Sequence, residues 1–122
     1  MQPEASALSW DARRAAGLIA DFVSAREWAD YDADPMLRSA VERQFQIIGE
    51  ALNRLGKVDP ETAAEIPDLA RIVAFRNVLV HGYAAIDSEL VWEVATSRLP
   101  DLSVALDALL AGGVAGESTP EP

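Results

Sequence analysis

Apolar residues recur at the spacing of an α-helix along most of the chain, and this pattern restricts the fold more than any other feature. In residues 35–55 the apolar positions lie three or four apart, at Leu37, Val41, Phe45, Ile48, Leu52 and Leu55. Such a stripe covers one side of a helix and must be buried against another element. Because the chain shows no convincing strand alternation and no internal repeat, the sequence predicts an all-α bundle.

Capping residues and prolines divide the first half of the chain into two long helices. The first helix is predicted to begin with Ser9 as its N-cap and to run to about Trp28. An acidic loop over residues 30–34 is predicted to close it. The pair at 34–35, Asp followed by Pro, is typical of an N-cap and a first helical position. It predicts a second helix that runs to about Leu55.

The same signals continue after the second helix. A second Asp-Pro pair at 59–60 predicts a short helical turn that stops before Pro67. A third long helix is predicted over residues 67–81. It is predicted to end at Gly82, because glycine takes the left-handed conformation of a C-cap without a Cβ penalty.

The last predicted helix lies near the C-terminus. Asp87 or Ser88 can cap it, and Pro100 is expected to kink or restart it. The architecture predicted is therefore a bundle of four long helices and a short one, forming a single domain over residues 1–112. Residues 113–122 are small, polar and rich in Gly and Pro, which predicts a disordered tail.

The composition excludes several classes of protein. Without cysteine there is no disulfide framework and no thiolate metal site. The N-terminus lacks the pattern of a secretory signal, and no segment has the roughly 18 apolar residues of a membrane span, so we expect a cytoplasmic protein without membrane contact. Acidic clusters at 27–34 and 59–68 contain no histidine and fit helix caps, so we assign no metal and no cofactor.

The net charge of −10 argues against a protein that coats nucleic acid without specificity. The charge is unevenly distributed, however. The net charge is −4 over residues 1–37, zero over residues 38–76, where six basic and six acidic residues cancel, and −6 over residues 77–122. The middle third is therefore the part of the chain that repels a polyanion least.

The segment IVAFRNVLVHGY, residues 72–83, combines an apolar helix with three polar side chains. Apolar residues cover nearly every side of this helix, which predicts burial in the bundle or against a second subunit. Arg76 and Asn77 would then need partners. One interpretation is structural: Arg76 pairs with Glu50, Asn77 bonds to backbone at a helix crossing, and His81 interacts with the helix dipole.

The other interpretation is chemical. If His81 is the cap residue, it can turn back into a groove that Arg76 also reaches. A neutral imidazole can take a proton from a ribose 2′-hydroxyl, and a guanidinium can hold the phosphate as its charge grows. The chain has a single histidine, whereas cleavage benefits from a base and an acid. A twofold dimer would place two copies of both residues around one cleft.

The segment RNVLVHGY resembles the signature of the HEPN superfamily, and the chain is similar to HepT-like toxins of HepT/MntA toxin–antitoxin systems, classed as type II or type VII. Their motif reads Arg, four residues, His, one residue, Tyr, which Arg76, His81 and Tyr83 match. The flanking segments 41–55 and 86–102 also resemble the family. The resemblance covers about residues 10–112.

This resemblance implies a homodimer of HEPN-type helical bundles that acts as a metal-independent endoribonuclease. Arg76 would bind the scissile phosphate, His81 would be the acid–base residue, and Asn77 would orient them. It also implies a partner, an MntA-like minimal nucleotidyltransferase antitoxin that transfers AMP to Tyr83. The added phosphate would block RNA by charge and bulk.

Because a dimer would carry about −20, a structured RNA such as tRNA is a better expected substrate than RNA in general. The alternative is a catalytically silent helical dimer that serves as binding partner and AMP acceptor of the nucleotidyltransferase. Two further expectations concern packing. Gly49 is expected at a close helix crossing. The three tryptophans could stack on nucleotides, but aromatic residues at helix ends are more often core residues, and we expect the core here.

Overall fold

Helices account for nearly all of the backbone. The computed structural model describes residues 1–82 and 86–118, with side chains described to residue 112, and this part of the chain contains no strand. The all-α fold class is confirmed. The helices are α1 (Pro3–Val23), α2 (Trp28–Ala33), α3 (Pro35–Val58), α4 (Pro60–Ala63), α5 (Leu69–His81), α6 (Ser88–Glu93) and α7 (Leu99–Ser118), and a π-helical turn (Val94–Arg98) joins the last two.

Helix α3 lies at the centre of the bundle, where it packs against α1 and α5, while α7 packs on α1. Its predicted apolar stripe is the core: Leu37, Val41, Phe45, Ile48, Leu52 and Leu55 are all buried. Burial of each such side chain stabilises the fold by roughly 1.5–3 kcal/mol. The helix also continues through Gly56 to Val58, three residues beyond the predicted end.

The predicted start of the first helix is wrong. Helix α1 begins at Pro3, which occupies the first helical turn, where its missing N–H costs nothing. Ser9 lies in the helix interior and is fully buried, with its hydroxyl 3.8 Å from the sulfur of Met1. The helix ends at Val23 instead of Trp28, because Ala25 takes a left-handed conformation.

The predicted acidic loop is largely the separate helix α2. Its first turn is closed by a capping box, in which the Asp30 carboxylate accepts a hydrogen bond of 2.8 Å from the backbone N–H of Glu27. Tyr31 is fully buried between Trp28 and Trp92, at ring centroid distances of 6.1 and 5.3 Å. Its hydroxyl has no hydrogen-bond partner among the described residues, and burial raises its pKa.

Both Asp-Pro pairs act as predicted. The Asp34 carboxylate accepts from the backbone N–H of Leu37 at 3.0 Å, and that of Asp59 accepts from the backbone N–H of Thr62 at 3.1 Å. The Thr62 hydroxyl donates a further bond of 2.7 Å to Asp59, and these hydrogen bonds lower the pKa of its carboxyl group. The caps therefore fix where α3 and α4 begin.

The C-terminal helix differs from its prediction at Pro100. Asp87 caps α6 as predicted, accepting from the backbone N–H groups of Glu89 and Leu90. The irregularity precedes the proline: the backbone N–H of Leu99 bonds to the carbonyl of Val94, five residues back. The wider turn accommodates Pro100, which has no N–H to continue the normal ladder.

None of the described helices is long and apolar enough to cross a membrane. The cytoplasmic location expected from the sequence stays a prediction. The backbone of α7 is described to Ser118, and the remainder of the predicted tail, residues 119–122, lies outside the described residues. The disorder of residues 113–122 also stays a prediction.

Candidate active site

The site begins where α3 and α5 cross. A Cβ atom on Gly49 would lie 2.1 Å from the Cβ of Arg76 and 2.5 Å from its Cγ, so only glycine permits this approach. Beside the crossing, the rings of Phe45 and Phe75 meet edge to face with centroids 5.1 Å apart. The prediction that Gly49 serves a close helix crossing is therefore correct, and the residue it accommodates is Arg76.

Close approach brings Arg76 to the carboxylate that the sequence suggested as its partner. Its Nη2 donates to Oε1 of Glu50 at 3.1 Å, and its Nη1 donates to Oδ1 of Asn77 at 2.9 Å. Asn77 thus bonds the guanidinium instead of the backbone, which corrects the structural interpretation. These two bonds fix the plane of the guanidinium at the surface.

Arg76 retains donors for a ligand. Its side chain is 23 % exposed, and Nε is buried without a partner among the described residues. A guanidinium has five N–H groups, of which the two observed bonds use two. Because Glu50 is 55 % exposed, the ion pair lies close to water and contributes about 0–1 kcal/mol to stability. The exposed part of the guanidinium, and not the buried Nε, is therefore the part that a phosphate can contact.

His81 is exposed at the end of α5, and the predicted geometry of this end needs correction. Gly82 is the cap residue and His81 the last helical residue, so His81 does not turn back as a cap. The backbone of Gly82 has a right-handed helical conformation, with φ −77°, and not the predicted left-handed one. Glycine fits here because a Cβ would lie 2.4 Å from the carbonyl oxygen of Val78, to which the Gly82 N–H donates.

Regular helix geometry separates the two candidate catalytic residues. Arg76 and His81 lie on one continuous helix, five residues apart, which corresponds to about 140° of rotation and about 7.5 Å of rise. The two side chains therefore leave the axis of α5 in different directions. Tyr83, the third residue of the motif, lies outside the described residues.

An apolar groove runs beside the site, between α5 and the segment from α6 to α7. Its volume is about 630 Å³, and its larger apolar side chains are Ile72, Phe75, Val78, Leu90, Val94 and Leu102. The charged side chains of Asp68, Arg71, Glu93, Arg98 and Asp101 also line it. Val78 is 51 % exposed and Leu90 is 45 % exposed, and Leu79 is the one residue of α5 that is fully buried. The predicted burial of α5 on most sides is thus wrong for the single chain.

The remaining polar candidates lie away from this site. Burial raises the pKa of Glu42, which interacts with Arg38 at the far end of α3. Trp28 and Trp92 pack around Tyr31, whereas Trp10 is exposed on α1. Within the described residues no group of three or more histidine and acidic side chains could hold a metal ion.

Comparison with known proteins identifies the family. A family model described as ribonuclease HepT-like matches residues 12–109. The chain is 31 % identical over 81 residues to "Putative RNase TTE0752" of Caldanaerobacter subterraneus, covering 66 % of this chain and 71 % of that one. It is 27 % identical over 99 residues to "Putative RNase MJ1380" of Methanocaldococcus jannaschii, covering 81 % and 90 %.

A third relative carries the family's name. The chain is 30 % identical over 94 residues to "Probable ribonuclease HepT" of Thermococcus cleftensis, covering 75 % of this chain and 83 % of that one. No solved structure matches the chain. The family match spans α3, α5 and the crossing that holds Arg76. This chain belongs to the ribonuclease HepT-like family.

Proposed function

We propose that this protein is the toxin of a toxin–antitoxin system, a metal-independent endoribonuclease that uses Arg76 and His81. The observation that carries the proposal is the guanidinium of Arg76, which Glu50 and Asn77 hold at the surface on the same helix as the exposed His81. The names of the relatives, which describe ribonucleases, support the same activity.

The proposed reaction is attack by a ribose 2′-hydroxyl on the neighbouring phosphate. His81 takes the proton of the hydroxyl, the 2′ oxygen forms a bond to phosphorus, and the bond from phosphorus to the 5′ oxygen breaks. A second imidazole protonates the leaving 5′ oxygen, so the products are a 2′,3′-cyclic phosphate and a 5′-hydroxyl. Arg76 stabilises the negative charge that grows on the phosphate oxygens.

The second imidazole is the reason for proposing a homodimer. The chain has one histidine, and α5 directs Arg76 and His81 to different sides. A twofold axis beside α5 would bring two copies of each residue around one cleft. The groove that α5 lines supplies an apolar surface for this contact, with Val78 between the two catalytic residues in sequence.

Val78→Asp is expected to convert the dimer to monomers and to abolish most RNA cleavage. A carboxylate buried at a twofold contact costs several kcal/mol, and each 1.4 kcal/mol weakens association about tenfold, so we expect at least about a hundredfold weaker dimer. Light scattering after size-exclusion chromatography measures the change. The matched control is Val104→Asp, at a 68 % exposed position of α7 outside the groove. A Val104→Asp variant that dissociates, beside a Val78→Asp variant that stays dimeric, would contradict the proposed cleft.

We further propose that a minimal nucleotidyltransferase antitoxin inhibits the enzyme by transferring AMP to Tyr83. Tyr83 lies two residues after His81 in sequence, so the added phosphate would compete with RNA for Arg76. The chemistry needs a tyrosine hydroxyl as acceptor and ATP as donor, with pyrophosphate leaving.

The experiment that tests the function is RNA cleavage by protein expressed without any nucleotidyltransferase. With a chelator present, we expect cleavage of tRNA and products that end in a 2′,3′-cyclic phosphate. Unstructured homopolymers should be cleaved more slowly, because the acidic chain repels RNA that makes only general backbone contacts. Equal cleavage of homopolymers would contradict the structured substrate. Complete inactivity of a dimer with unmodified Tyr83 would favour the silent binding partner instead.

A further inference from the structure

Helices α3 and α5 carry the opposite charge to the remainder of the chain. Their charged residues are the cations Arg38, Arg43, Arg54, Lys57, Arg71 and Arg76 and the carboxylates Glu42 and Glu50. Six cations and two carboxylates give +4. The other four cations and 18 carboxylates of the sequence give −14. The strongest positive charge of this acidic protein therefore lies on the two helices that form the Arg76 site.

Part of this charge forms a line on the exposed side of α3. Arg43, Glu50 and Lys57 are all exposed and are spaced seven residues apart. Seven residues of α-helix return almost to the same side after about 10.5 Å of rise. The line therefore has Arg43 and Lys57 about 21 Å apart, with the Glu50–Arg76 pair midway between them. We call Arg43 and Lys57 the flanking cations.

The flanking cations contribute little to the contacts among the described residues. Ion pairs engage most of the other cations, as in Arg13 with Asp107 and Arg54 with Glu4. Within the described residues Lys57 has no ion pair, and Arg43 has only a hydrogen bond of 3.5 Å to Gln46. Neither side chain is needed to hold the bundle together, so both are available to an anionic ligand.

We propose that the flanking cations bind the phosphodiester backbone of RNA on both sides of the phosphate held by Arg76. The inference rests on the proposed ribonuclease function and adds the path of the substrate. A mononucleotide cannot bridge about 21 Å, whereas a polynucleotide places phosphates along the whole line. The two flanking cations, which form no ion pair within the described residues, also give a chain of charge −10 a place to bind a polyanion locally.

The test is a binding titration with a fluorescent RNA hairpin that is fully 2′-O-methylated, so that it lacks the attacking hydroxyl. We expect Arg43→Ala/Lys57→Ala to bind about 25- to 60-fold more weakly than the wild type at 0.1 M salt. Each phosphate contact contributes about 0.7–0.9 to the slope of log affinity against log salt. The slope should therefore decrease by about 1.4–1.8 in magnitude.

Two further variants make the result specific. Arg14→Ala removes a charge from an exposed cation on α1 that has no ion pair among the described residues, and its affinity should stay within about threefold of wild type. Arg43→Lys keeps the charge and should retain most of the affinity. A double variant that binds like Arg14→Ala, beside a wild type that binds and cleaves RNA, overturns this inference alone. A wild type that neither binds nor cleaves RNA overturns the proposed function as well.

Discussion

Arg76→Ala and His81→Ala are each expected to lower the rate constant of RNA cleavage by a factor of about 10²–10⁴. General acid–base catalysis contributes about this much, and removal of one preorganised donor to a developing negative charge costs about 10²–10³. Single-turnover rates at saturating protein measure the loss, because weaker binding then does not contribute. Arg76→Lys should be intermediate, since an ammonium keeps the charge but loses the fork that contacts two phosphate oxygens.

The same variants should leave the fold intact. His81 is exposed and has no hydrogen bond within the described part of the chain, so its removal should change the free energy of unfolding by less than about 0.5 kcal/mol. Arg76→Ala leaves Glu50 without its partner, but that carboxylate is exposed and can be hydrated. If a variant loses activity and its free energy of unfolding falls enough to account for that loss, a structural role would be favoured instead.

Gly49→Ala is expected to impair both stability and catalysis, although alanine is the better helix former. The added Cβ would lie 2.1 Å from the Cβ of Arg76, whereas carbon atoms in contact are about 3.5–4.0 Å apart. Separation of α3 and α5 should cost about 1–3 kcal/mol, partly offset by about 1 kcal/mol of helix propensity. Because Arg76 moves with α5, cleavage should decrease by about 10²-fold, as expected for a displacement near 1 Å.

Gly56→Ala is the matched control on the same helix. Apart from the neighbouring backbone of its own helix, no described atom lies within 4 Å of a Cβ at Gly56. This substitution should therefore stabilise the protein by up to about 1 kcal/mol and leave cleavage unchanged. Urea denaturation and cleavage rates measure both effects. A Gly49→Ala variant as stable and active as Gly56→Ala would show that the crossing has room and that Gly49 does not position Arg76.

The local signals that were read correctly from the sequence are those with a single physical meaning. The apolar stripe of α3 has one face to bury, and Asp34 and Asp59 each stand before a proline at the start of a helix. The prediction of Ser9 as an N-cap is wrong because a serine that can cap a helix can also lie buried within one. The helix begins earlier, at Pro3. The loop predicted over residues 30–34 is wrong, whereas the expectation that the acidic cluster at 27–34 fits a helix cap is confirmed by the capping box of Glu27 and Asp30.

The candidate site was predicted in part for the same reason. Close packing at Gly49 follows from the cost of a helical glycine. The pairing of Arg76 with Glu50 was predicted from the cost of a buried charge, whereas the structure places the pair close to water. The apolar groove between α5 and the segment from α6 to α7 was not predicted, because it depends on how far apart α5 and α7 lie. The positive charge of α3 and α5 was also hidden, since the acidic residues between the two helices cancel it when the chain is divided into thirds.

The measurement that tests the central claim most directly is cleavage of tRNA, in the presence of a chelator, by the wild type beside Arg76→Ala and His81→Ala. All three proteins are compared as folded dimers that carry unmodified Tyr83. We predict cleavage by the wild type and a loss of about 10²-fold or more in both variants. Equal rates in the three proteins, whether all active or all inactive, would contradict the assignment of Arg76 and His81 as the catalytic residues of a ribonuclease.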